Sequence, residues 1–186
     1  PDTALRSVPV NFGLLSPLTM NGQRPQQARN NFSFDLVLGD AGRVTGFQAA
    51  GVLTRVRRDV VGAQISTIAN LGGTDATGFQ MAVVNLLGGG VTGCQWGWAL
   101  NLDDGRSHGA QFAGLMNVNR DTLTGFQGAL ASSYAGTLRG AQISLVNVAG
   151  DLTGTQVGLV NIARSSRGLQ TGLFNISGDA HGVAIG

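Results

Sequence analysis

The sequence predicts an all-β protein, a parallel β-solenoid of about ten 14–16-residue coils, and three observations predict it. A Gly-x-Gln triplet starts at Gly46, Gly62, Gly78, Gly93, Gly109, Gly125, Gly140, Gly154 and Gly168, always 14 to 16 residues after the last. Two places beyond each glutamine stands a small residue, from Ala50 to Gly172, and most units then carry an asparagine among aliphatics. Charges gather after that asparagine and before the next glycine, which reads as a solvent-exposed turn that absorbs the changes in unit length. A degenerate tenth copy begins at Gly182, with Ala184 in the glutamine position.

Residues 1–29 lack the repeat and hold all four prolines, Pro1, Pro9, Pro17 and Pro25, with a turn-like Asn21-Gly22, so they read as an N-terminal cap over the first strand edge. The repeat array is residues 30–186, and Asn30-Asn31-Phe32-Ser33-Phe34 forms a divergent first coil one period before Gly46. Within a unit, apolar residues flank the glutamine, which is strand alternation and places the amide on the face opposite the apolar core. Phe47, Ala63, Phe79, Cys94 and Ala110 then form a core column in which large and small residues trade volume, with Trp96 and Phe112 beside the small ones. A second short strand surrounds the asparagine. Helix is disfavoured by the recurring glycine and the many β-branched residues.

Two architectures fit this pattern. In a solenoid every glutamine lies over a glutamine, so one hydrogen-bonding solution serves all levels. An antiparallel meander or barrel is the alternative, and it gives no reason for every strand to look alike. Stacked coils make a rod about 45–50 Å long, narrowing toward the 14-residue coils at its C-terminal end. The chain opens at Pro1 without a signal peptide, as a processed product would, and stops inside the tenth unit, where further protein or another molecule is expected to cover the edge.

Composition narrows the functional classes. With 12% charged and 42% hydrophobic residues the chain is too apolar for disorder, and 30 glycines without a three-residue rule exclude collagen. There is no apolar run of about 18 residues to form a transmembrane helix, and a net charge of +2, all its basic residues being arginine, does not point to nucleic acid. The single Cys94 forms no internal disulfide. No cofactor is expected: no Cys/His cluster suggests zinc, no Gly-Lys-Thr/Ser loop suggests phosphate, and Gly72-Gly73-Thr74-Asp75 only faintly resembles a calcium roll turn. His108 has Ser107, Asp103 and Asp104 nearby, yet all share one connector and His181 lies five coils away, so no catalytic residue is assigned and the chain is read as non-enzymatic.

The candidate functional residues are therefore structural ones. Gln48, Gln64, Gln80, Gln95, Gln111, Gln127, Gln142, Gln156 and Gln170 form one amide ladder. Asn85, Asn147, Asn161 and Asn175 belong to a second, interrupted where Thr54 and Ser133 replace the asparagine. Arg55 and Arg57, on one side of a strand, are candidate surface contacts for acidic polysaccharide or lipid phosphate, and an exposed Trp98 is a candidate sugar-binding platform. Units such as Gly154-Thr-Gln-Val-Gly-Leu-Val-Asn161-Ile and Gly168-Leu-Gln-Thr-Gly-Leu-Phe-Asn175-Ile resemble the bacterial surface-repeat family first named in leptospires and common in Bacteroidetes and myxobacteria. The resemblance runs from about Pro9 to the end. It implies export to the bacterial envelope, at the outer-membrane surface or in the periplasm. The rod-like repeat itself is read as a structural or adhesive module with protein partners, either copies of itself or other envelope components. A subunit docking through its solenoid edge is the alternative, and a carbohydrate-active solenoid enzyme a remote one.

Overall fold

The structure, a computed structural model, describes residues 5–15, 18–19 and 24–186. Pro1, Pro17 and the Asn21-Gly22 turn of the expected cap lie outside the described residues. Strands stack in parallel, coil upon coil, into one continuous solenoid of about ten turns, as the repeat predicts. The register is set by like over like: Gly109 pairs with Gly125, Gln111 with Gln127 and Ala113 with Ala129. The same alignment holds from Gln48–Gln64 to Gln156–Gln170. Among the described residues only Leu18–Thr19 runs antiparallel to its neighbour. Residues Arg6–Leu15, inside the segment read as a cap, add another rung in parallel with Ala28–Ala41, and Asn11 takes the inward position there. A 3-10 turn, Pro25–Gln27, leads into Ala28–Ala41.

Each coil has two strand segments facing one another across a narrow interior. One runs through the repeat glycine and glutamine; the other runs through the asparagine. A tight corner joins them on one side, here called the tip, and the charged turn joins them on the other. Coil length changes at both places. Asparagine and the next glutamine are ten residues apart up to Gln127 and nine afterwards. The gap from glutamine to asparagine is six or five, and register shifts fall at Ala82/Val84 and at Asn119/Thr122 accordingly. The turn therefore does not absorb every length change; the tip takes a share.

The faces are the reverse of the expected ones. All nine repeat glutamines are buried, while the flanking columns from Phe47 to Leu169 and from Ala49 to Thr171 look outward, half-buried or exposed. Trp96, expected in the core, is 41% exposed, and Cys94 sits partly exposed on the outer face. The physical reason lies in parity. Residues two before the glycine and two after the glutamine share the amide's side of the strand, and those columns are the true interior. Val44, Val60, Val91, Leu123, Leu138 and Leu152 pack there, opposite Val56, Leu87, Ala135, Ala149 and Ala163. They form two apolar clusters, residues 41–91 and 123–163. Between the clusters the core turns polar, at Asp103, Ser107 and Asn119.

The glycine column marks where each coil bends. Gly46 through Gly168 all have φ between 126° and 151°, backbone that L-residues with a side chain rarely adopt. A Cβ on Gly125 would also overlap the carbonyl oxygen of Gly109 in the coil below. Gly125→Ala is expected to cost about 3 kcal/mol from backbone strain and the clash, read as a lower urea midpoint with an unchanged m-value.

Candidate functional site

Three regions carry the groups of interest: the amide ladders, the polar break in the core, and the apolar tip. In the first ladder each glutamine Nε2 donates to Oε1 of the glutamine one coil toward the N-terminus, at 2.7–3.1 Å from Gln80 to Gln170. The bond from Gln64 to Gln48 is longer, 3.5 Å. The second amide hydrogen crosses the interior, to Tyr134 O from Gln127 and to Val148 O from Gln142. Buried amides are tolerated here because each rung satisfies the next.

The asparagine ladder runs with the opposite sense. Asn70, Asn85 and Asn101 donate Nδ2 to Oδ1 of the next asparagine toward the C-terminus, at 2.7–2.8 Å. Asn147 and Asn161 repeat this toward Asn161 and Asn175. Each also ties down a tip carbonyl: Asn85 holds Trp96 O, Asn147 holds Val157 O and Asn175 holds Ile185 O. Thr54 continues the ladder, donating to Asn70 Oδ1 at 2.6 Å, whereas Ser133 breaks it and its Oγ has no partner. The expected amide positions are thus brought together as two hydrogen-bonded columns inside the rod, and none of the nine glutamines faces a ligand on the surface.

The polar break centres on Asp103, fully buried rather than in an exposed connector as its sequence position suggests. It occupies the column of Leu87. Gln95 Nε2 donates to Oδ1 at 2.8 Å, Ser107 Oγ to Oδ2 at 3.0 Å, and Gln111 Nε2 also to Oδ2. Burial pushes its carboxyl up to about 7, against three hydrogen bonds that favour the charged form and with a small push from Asp104. Asn119 Nδ2 donates to Ser107 Oγ at 2.9 Å while its Oδ1 is without a partner. A smaller cluster of Asn11, Ser33 and Asp35 fills the first rungs, and burial raises Asp35 as well. Alternation sends Ser107 inward and the exposed His108 outward, so the Ser, His and Asp of this connector do not converge. Among the described residues no three His, Cys, Asp or Glu side chains group closely enough to share a metal ion.

Outside, the tip is apolar and the turn charged. Trp98, 61% exposed, meets Trp96 edge-on at 5.9 Å, and Trp96, Phe112 and Phe126 continue a row with centroids 5.6 and 5.4 Å apart. Phe12, Phe34 and Phe47 do the same nearer the N-terminus. Apolar grooves run beside the ridge, one of about 660 Å³ along Ile143, Leu145, Val157 and Leu159. On the turn side, ion pairs step from coil to coil: Arg57–Asp40, Arg120–Asp104 and Arg164–Asp151. Arg55 and Arg57 are both exposed, as alternation requires, and line a shallow hollow with Leu71 and Gly73. Sequence reasoning missed Asp103 and the apolar exterior. The signal for both was present in the column two residues before the glycine, which is aliphatic except at Ser107 and Ser166. The chain matches no family model, no curated protein and no solved structure. Among the described residues no helix is long and apolar enough to cross a membrane.

Proposed function

We propose that the chain is a non-catalytic structural and adhesive module of a bacterial cell envelope, a stiff rod that acts through its repetitive flanks. The observation that carries this reading is the fate of the repeat amides. The side chains that recur in every unit are consumed by one another inside the rod, so their repetition supports rigidity. The units at Gly154 and Gly168, with their surface-repeat resemblance, support the envelope location. Partners in this reading are other copies or other envelope proteins, with acidic polysaccharide reached through Arg55 and Arg57 on the turn side, away from Trp98 at the tip.

The test has two arms. Small-angle scattering of the isolated chain is expected to give an elongated particle about 45 Å or more in length, at the sheet spacing of the coils. Fractionation of the source bacterium is expected to place the protein with envelope fractions. Recovery with the cytosol alone, or glycan hydrolysis that survives repurification, would replace this reading.

A further inference from the structure

We propose that the tip of the solenoid is a membrane-docking edge, which lays the rod lengthwise into one leaflet of an anionic phospholipid bilayer. The inference rests on the surface of the rod and not on the envelope reading above.

The first observation is the distribution of charge. In the nine rungs that begin at Gly46, the stretch from the residue after the repeat glycine up to the asparagine position contains no Asp, Arg or His. The arcs stack in register, so the uncharged surface is continuous. Its crest runs through Ile68, Trp98, Leu115, Leu130, Leu145 and Leu173, each between 52% and 73% exposed. At the strand rise and sheet spacing it covers on the order of 1,000 Å², well above the roughly 300–600 Å² of the largest patch on a typical monomer.

Shape chooses the occupant. The apolar surface does not lie on one flat side; it wraps the convex tip onto both flanks. Ile143 and Val157 look outward from the glutamine strand, while Tyr134 and Ile176 look outward from the asparagine strand, across the interior from them. A second copy with the same convex edge covers one flank at most, whereas lipid covers both. The arcs are also poor in polar anchors. Outward hydroxyls are limited to Thr67, Ser132, Thr155 and Thr171, with that of Tyr134 at the border, fewer than the roughly ten hydrogen bonds of a protein interface of standard size.

Hydrocarbon accepts backbone only where every polar group is paired. Much of this tip is paired in that way. Neighbouring coils bond many of its N–H and C=O groups, as in Leu145 N to Leu130 O and Leu159 N to Leu145 O, and the asparagine ladder caps further carbonyls at Gly128, Val157 and Thr171. Buried polar and exposed apolar faces along each strand are the sidedness of lipid-facing β-structure.

Electrostatics fixes the lipid. The residue just before each repeat glycine stands at the border of the apolar flank. That column reads Thr45, Val61, Thr77, Thr92, His108, Thr124, Arg139, Thr153, Arg167 and His181. It contains basic groups and no acidic one. Arg139 and Arg167 are exposed and make no ion pair among the described residues, which leaves them for lipid phosphates at the waterline.

The two tryptophans of the chain both lie on the tip, so intrinsic fluorescence reports on it directly. The intact chain is mixed with vesicles of phosphatidylcholine containing 30% phosphatidylglycerol, and with pure phosphatidylcholine vesicles. Flotation with the anionic vesicles, a blue-shifted tryptophan emission and quenching by brominated acyl chains are expected. Leu130→Asp/Leu145→Asp/Leu159→Asp is expected to weaken vesicle partitioning about a hundredfold or more with unchanged circular dichroism, since all three side chains are already exposed. Arg139→Gln/Arg167→Gln is expected to weaken binding to anionic vesicles several-fold and leave the neutral ones unaffected. Absence of flotation and of bromolipid quenching overturns the proposal. So does a lipid-independent dimer whose tryptophans are blue-shifted without vesicles, which would assign the tip to a second copy. Neither outcome bears on fractionation, so the envelope reading stands or falls separately.

Discussion

Gln111→Leu/Gln127→Leu is expected to lower the melting temperature by about 10 °C or more, although leucine is the better core residue in most proteins. The loss comes from what stays behind. Gln95 Oε1 loses its donor, Gln142 Nε2 loses one of two acceptors, and Asp103 and Tyr134 O each lose a bond, all within the closed interior. An unsatisfied buried group costs about 1–3 kcal/mol, which puts the double variant several kcal/mol down. The 2.7 Å bond between Gln127 and Gln111 disappears with both its partners, so the double should cost less than the two singles added. Thermal melts of both singles, the double and an exposed control, Leu115→Ser, provide the check. A double variant that melts with the control would mean that the ladder contributes nothing.

The second large effect is a pH dependence with an unusual sign. Asp103 is held near 7 in the folded protein and returns to about 3.8 when unfolded. Between those values the native state binds a proton that the unfolded chain has released, so folding stability falls as pH rises from about 4 to 7 and then levels. For a group buried this deeply the fall is about 4 kcal/mol, taken as an upper figure. Asp35 is raised as well and adds in the same direction. Asp103→Asn, which resembles the protonated carboxyl, is expected to match the wild type at pH 4.5 and to exceed it at pH 8.5. Urea unfolding at the two pH values measures this, and a variant whose stability falls as steeply as the wild type's would remove Asp103 from the account.

Periodicity made the coil, its length and the stacking legible before any coordinates, because identical units admit one solution at every level. Which side of the strand faces in was not legible from polarity. A sequence reader assigns Phe47 and Trp96 to the core and Gln48 to water, since an isolated glutamine is better solvated. The preference reverses when a glutamine lies above and below each one, a cooperative condition that no single unit displays. The invariably small column from Ala50 to Gly172 was the better guide. It shares parity with the glutamine, and a side chain there meets the asparagine amide, as a Cβ on Gly158 or Gly172 would. Asp103 escaped notice for a related reason: it sits among turn charges in the sequence, and only its even spacing from Asn101 turns it inward.

Near-identical rungs carry a hazard of their own, because a coil that skips its proper neighbour finds almost the same partners one level on. Asp103 with Gln95, Ser107 and Gln111 is a place in the middle of the stack where levels are not interchangeable. Displaced by one level, the carboxylate would take the place of Leu87 or Asn119, and at the former it would face Val91 rather than a hydroxyl. A lone buried polar residue fixes alignment in coiled coils in the same way, by making the wrong pairing expensive. The group that weakens the native rod at neutral pH is thus also its address label, because it makes a displaced alignment costly.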